Sequence, residues 1–243
     1  MHAYANPARF LRLARWLTPL LLLTGMALAG AALAWGLLRV PPDRLQGETV
    51  RIMFIHVPAA WLGMAGWMAI AAASFTELVW RHPLAGIAAR AAAVPGAVFA
   101  AICLATGSLW GRPAWGTWWE WDGRLTSMLV LLFLYFAYIA LADAASQAGG
   151  GQSRMAAIFG LVGAVNIPII HYSVLWWNSL HQPPSITLTA FGGKSAIDPV
   201  FLWPLLAATL GFSLIFGGIM LARMRAILAD AQAEARLRRM AME

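Results

Sequence analysis

The chain has 243 residues, of which 61% are hydrophobic and only 11% charged, with a formal charge of +7. A soluble domain of this length carries about a quarter charged residues. The composition therefore excludes an ordinary water-soluble fold and makes lipid the main solvent. The one cysteine, Cys103, excludes an intrachain disulfide.

Six apolar stretches follow one another: about Leu17–Leu38, Phe54–Trp80, Ala91–Trp110, Leu125–Ala142, Ala156–Trp177 and Phe201–Ala222. Each is near the roughly 20 residues that a helix needs to cross a bilayer core of about 30 Å. Only helices that satisfy their own backbone suit these apolar runs, so the predicted fold is an all-α, six-span bundle. Arg9, Arg12 and Arg15 before the first run also resemble the start of a secretory signal, with Ala27-Leu28-Ala29 or Ala32-Leu33-Ala34 as cleavage sites. The run exceeds the roughly 7–15 residues of a signal core, which favours a retained helix. In the fifth stretch, Asn166 and Pro168 are expected to kink the helix. Residues 1–222 read as one membrane domain. Residues 223–243 alternate Ala, Arg, Leu and Glu and read as a cytoplasmic helical tail.

Six spans put both termini on one side. That side holds Arg9, Arg12, Arg15, Arg81, Arg90, Arg154 and the arginines from Arg223 onward. They outnumber Arg39, Arg44, Arg51, Arg112, Arg124 and Lys194 on the other side, so both termini are expected in the cytoplasm. The basic surplus is then a topology signal, and no nucleic-acid partner is implied.

The first, third and fifth loops share the outer side. His56 lies where the first loop enters the second span, in FIHVPAAW. The third loop, about residues 112–125, contains WGTWWEWDGR, and His181 follows the fifth span, in WWNSLHQPP. Two neutral imidazoles can ligate a haem iron from opposite faces. Indoles offer broad apolar surfaces to a porphyrin, and arginines pair with its propionates. The set His56, His181, Trp115, Trp118, Trp119, Trp121 with Arg51, Arg112, Arg124 or Lys194 therefore points to non-covalent haem b. No C-x-x-C-H motif is present for covalent attachment. If residues 115–122 are helical, Trp115, Trp118 and Trp119 share a face suited to lying on the bilayer.

Plainer readings stand beside these. Interfacial tryptophans commonly form an anchoring belt; Trp16, Trp35, Trp61, Trp80, Trp110, Trp176, Trp177 and Trp203 are read as belt or packing. Asp122 caps the fourth helix or fixes the loop, and Arg124 neutralises Asp122 or Glu120. His2 lies in a terminal segment and His82 at a helix end. His171, inside the fifth span, stands about 15 Å along a continuous helix from His181 and is read as a structural hydrogen-bonding residue beneath the site. Gly192-Gly193-Lys194-Ser195 mimics the end of a phosphate loop, but Leu188 stands where the first glycine is needed.

WGTWWEWDGRLTSMLVLLFLY closely resembles the tryptophan-rich WWD signature of haem-handling proteins of cytochrome c maturation. Gly123-Arg124-Leu125-Thr126-Ser127 after the Trp-Asp pair resembles the CcmC family rather than the longer lyase-type members. FIHVPAAW (Phe54–Trp61), TGSLW (Thr106–Trp110) and VNIPIIHYSVLWWNSLHQ (Val165–Gln182) match it as well. The resemblance covers roughly residues 9–225. It implies a bacterial inner-membrane protein that presents haem at the periplasmic face, with His56 and His181 as axial ligands and the WWD loop contacting haem and its chaperone CcmE. Further implied partners are CcmA, CcmB and CcmD, with ATP hydrolysis in a separate subunit and no catalysis here. Asp122 and Arg124 are expected to position the loop. The alternatives are a haem permease of an ABC-type exporter, for which Asn166, His171, Thr106 and Glu77 are the interior polar residues, and a b-type electron carrier.

Overall fold

The computed structural model describes residues 6–147, 154–177, 179–181 and 197–242. Among the described residues, seven helices account for six spans: α1 (Pro7–Leu38), α2 (Met53–Trp80), α3 (Ala85–Trp115), α4 (Gly123–Gln147), α5 (Arg154–Gly163), α6 (Asn166–Trp176) and α7 (Pro199–Met240). A 3-10 turn, Glu48–Ile52, leads into α2. Among the described residues there is no strand, only an isolated bridge between Asp43 and Gly47. All six spans are long and apolar enough to cross a membrane, with α5 and α6 sharing one. The chain is thus an all-α, multi-pass membrane protein.

Local chemistry sets the helix ends. Asn6 caps α1 by accepting from the Ala8 N–H at 2.9 Å, with Pro7 in the first turn. Asp198 does the same for α7 through Val200, ahead of Pro199. At the end of α3, Gly116 takes φ +80°, a left-handed conformation that costs glycine little, and its N–H returns to the Arg112 carbonyl. The fifth span breaks at Ala164–Val165. Pro168 has no N–H to donate and would clash with the carbonyl four residues back. Tight three-residue steps bridge the break: Ala164 to Leu161, Val165 to Val162 and Ile167 to Ala164. The helix is therefore interrupted next to Asn166 and Pro168, where a kink is expected. Helix α7 runs without interruption from the last span into the tail.

Between helices in lipid, close backbone approach replaces hydrophobic drive. A Cβ on Gly211 would stand 2.8 Å from Ala29 Cα, and one on Gly25 would stand 2.8 Å from the Ile215 nitrogen, so α1 and α7 meet backbone to backbone. Gly63 faces Ala100 in the same manner between α2 and α3. At the centre, Trp67 is fully buried and donates its indole N–H to the Gly160 carbonyl at 3.1 Å. Tyr135 packs edge-on to it at 4.9 Å and donates to the Gly63 carbonyl at 2.7 Å. Successive spans run antiparallel. The start of α2, the end of α3, the start of α4 and the residues after α6 consequently gather at one end of the bundle. The amino terminus of α1, Arg90 and the carboxyl half of α7 lie at the other.

Candidate haem-binding site

His56 sits one turn into α2 and reaches across to α3. Its Nδ1 lies 3.1 Å from the Cys103 carbonyl and 3.1 Å from Thr106 Oγ1. The threonine hydroxyl donates to the Ile102 carbonyl at 2.6 Å, so its oxygen is left to accept. Both neighbours of Nδ1 are therefore acceptors. The ring proton belongs on Nδ1, and Nε2 keeps its lone pair. Gly107 leaves space for the ring, since a Cβ there would stand 3.0 Å from His56 Cε1. Trp110, one turn further along α3, meets the imidazole edge-on at 5.7 Å.

His181 is held from the other side. Its Nδ1 lies 2.8 Å from Asp122 Oδ2, and Ser179 Oγ donates to the same oxygen at 2.6 Å. The other carboxylate oxygen of Asp122 accepts from the Leu125 N–H at 2.8 Å and caps α4. Burial alone would raise the Asp122 pKa. The hydrogen bonds from His181, Ser179 and Leu125 outweigh it and hold the group at about 2. An ionised carboxylate only accepts, so His181 carries its proton on Nδ1 and also presents Nε2. Trp115, the last residue of α3, lies edge-on to His181 at 4.7 Å.

The final turns of α3 thus touch both imidazoles, through Thr106 and Trp110 on one and Trp115 on the other. Anchoring Nδ1 to a fixed acceptor is the usual way in which a protein aims Nε2 at a metal. The donor set fits a haem iron needing two axial nitrogens.

Residues 116–122 are not helical, contrary to the arrangement considered above. Gly116 ends α3, and Thr117 makes a local turn: its hydroxyl donates to the Trp119 carbonyl at 2.8 Å and accepts from the Trp119 N–H at 3.3 Å. The loop is tied to α3 where Ser108 donates to the Trp118 carbonyl at 2.7 Å. Trp119 and Trp121 meet edge-on at 5.4 Å, and the indole N–H of Trp119 is buried with no partner among the described residues. Trp118 and Trp121 are exposed.

The outer cations differ in how they are engaged. Arg51 donates to the Leu37 and Val40 carbonyls and pairs with Glu48 at 3.0 Å. Arg112 donates to the Gly116 carbonyl. Among the described residues, the Arg124 side chain makes one hydrogen bond, at 3.3 Å to the His171 carbonyl. Lys194, the glycine-lysine segment and His2 lie outside the described residues. The His171 side chain, expected to be a structural hydrogen-bonding residue beneath the site, is exposed on α6, packs edge-on against Tyr172 at 4.8 Å and makes no hydrogen bond among the described residues.

Three contributors escape a reading by sequence pattern. Trp110, which sequence pattern assigns to belt or packing, touches His56 and donates to Gln46 Oε1 at 2.8 Å. Thr106 is one helical turn before it, a spacing that could have linked the two. Ser179 carries no pattern of its own.

The family model described as Heme exporter protein C, CcmC, matches residues 1–239. The chain belongs to the CcmC family. Among CcmC-family relatives, the heme exporter protein C of Bradyrhizobium diazoefficiens is 50% identical over 91% of this chain and 82% of its own. That of Escherichia coli K12 is 43% identical over 93% of this chain and 89% of its own. That of Paracoccus denitrificans is 40% identical over 91% and 90%.

Proposed function

We propose that this protein binds haem b non-covalently at the periplasmic face of a bacterial inner membrane, as cargo for cytochrome c maturation, and hands it to the chaperone CcmE. The observation carrying this reading is the pair of imidazoles, each fixed through Nδ1 and each presenting Nε2, joined by the last turns of α3. The names of the relatives, heme exporter protein C, support the cargo class.

In this reading His56 and His181 ligate the iron. Trp115, Trp118, Trp119 and Trp121 meet the porphyrin, Asp122 orients His181, and Arg124 takes a propionate. The unpartnered indole N–H of Trp119 is a donor available to a bound group. No acid–base chemistry is required of the chain, so it acts as a carrier and not an enzyme. CcmA, CcmB and CcmD complete the assembly, and any ATP is hydrolysed by a separate subunit. Both termini face the cytoplasm, in keeping with the arginine excess at that end.

The test is the absorption of the purified protein. A low-spin haem band is expected, and replacing both His56 and His181 with Ala should abolish it. A band that persists unchanged overturns the proposal.

A further inference from the structure

At the end of the bundle opposite the histidines, a small cleft of about 90 Å³ opens between α3, α4 and α7. Arg90 and Val94 of α3, Tyr138 and Asp143 of α4, and Arg223 and Ile227 of α7 line it. Two arginines and one carboxylate, Asp143, are among its lining residues. Arg90 stands 3.5 Å from Asp143, whose side chain is 59% exposed, so that pair is long and wet. Arg223 makes no ion pair among the described residues, and its Nε is buried without a hydrogen-bond partner. Leaving a buried guanidinium donor unmade is costly, and Asp143 is the one carboxylate among the residues that line the cleft. Tyr138 is buried on the α4 side.

The chemistry that satisfies such a pocket is a tetrahedral oxyanion. A guanidinium fork matches phosphate oxygens two at a time, and two forks can hold one phosphate. The location narrows the source. Arg90 is next to the apolar run that begins at Ala91, and Arg223 follows the one that ends at Ala222, so both stand where a span leaves the hydrocarbon. Val94, Ile139 and Ile227 make the remaining wall apolar, which suits the first carbons of an acyl chain below a headgroup.

We propose that Arg90 and Arg223 form a binding site for the phosphodiester headgroup of an anionic phospholipid, in the leaflet that faces both termini. The site is independent of the histidine pair. It would fasten α7 to α3 and α4 at the end where the tail helix departs.

The test uses the full chain in nanodiscs of phosphatidylcholine with or without phosphatidylglycerol, then native mass spectrometry of lipid retained on release. Retained phosphatidylglycerol is expected, with Arg223→Gln and Arg90→Gln each lowering retention about fivefold, as one arginine at a lipid surface would. Asp143→Asn, which removes the carboxylate that competes for Arg90 and keeps both arginines, should raise retention. Equal retention of the neutral lipid overturns the proposal, as does indifference to Arg223→Gln. If Arg223→Gln fails to fold, Asp143→Asn decides alone, and unchanged or reduced retention overturns it. Inorganic phosphate supplies the last arm: if it displaces the lipid completely at millimolar concentration, the site belongs to a soluble phosphate and the lipid assignment falls.

Discussion

The imidazole of His181 donates through Nδ1 to Asp122 at 2.8 Å, although the two residues are 59 positions apart. One carboxylate thereby aims a candidate ligand, accepts from Ser179 and caps α4 through the Leu125 N–H. Asp122→Ala should remove all three interactions. Haem affinity should fall 10- to 100-fold, the usual range for losing an outer-shell partner, and the lost cap should cost about 1 kcal/mol of stability. Asp122→Asn keeps an acceptor for the cap but not the charge, so it should weaken haem binding and lose only the stability that the ionised carboxylate supplies. Haem titration followed by absorbance, beside thermal melting, separates the two variants.

The same carboxylate sets a pH dependence. Its pKa is held at about 2 in the folded protein against the ordinary 3.8. A depressed folded value means that the ionised form stabilises the fold, fully above the unfolded value and progressively less as pH falls from about 4 to about 2. The difference in melting temperature between the protein and Asp122→Asn should therefore be flat through neutral pH and shrink below about pH 4. A difference that grows on acidification contradicts the assignment.

Gly107 offers a way to disturb one imidazole alone. A methyl group at this position would stand 3.0 Å from His56 Cε1, closer than the ring tolerates without moving. Gly107→Ala should tilt His56 and leave the Asp122–His181 pair in place. The expected result is a mixture of low-spin and high-spin haem, read from the visible spectrum, with total haem retained.

Stability and haem binding should also separate at Gly211. Its Cβ would meet the backbone of Ala29, which cannot swing aside as a side chain can. Gly211→Ala should force α1 and α7 apart at a cost of about 1–3 kcal/mol. It should lower the melting temperature and leave the haem spectrum of the folded fraction unchanged, because neither helix supplies a proposed ligand.

Much of this arrangement can be read from the sequence. Hydropathy marks the six spans, and Pro168 announces the break in the fifth. Loop parity puts His56, the tryptophan segment and His181 at one end, and in the structure the contacts of α3 bring them together. What pattern alone conceals is how side chains pair between helices. Trp110 has the spacing of a packing residue, and only the approach of α2 makes it a neighbour of His56. Residues 115–122 carry a helical spacing of indoles, yet Gly116 ends the helix and Thr117 redirects the chain. His171 attracts interest as an ionisable residue within a span, but the break at Ala164–Val165 precedes a helix that turns it outward.

Electron paramagnetic resonance of the haem-loaded protein tests the central claim most directly, because it reports the axial ligands themselves. The account predicts a low-spin ferric signal of two imidazoles, converted to high spin by either His56→Ala or His181→Ala and lost in the double variant. An unaltered two-imidazole signal in the double variant would contradict it.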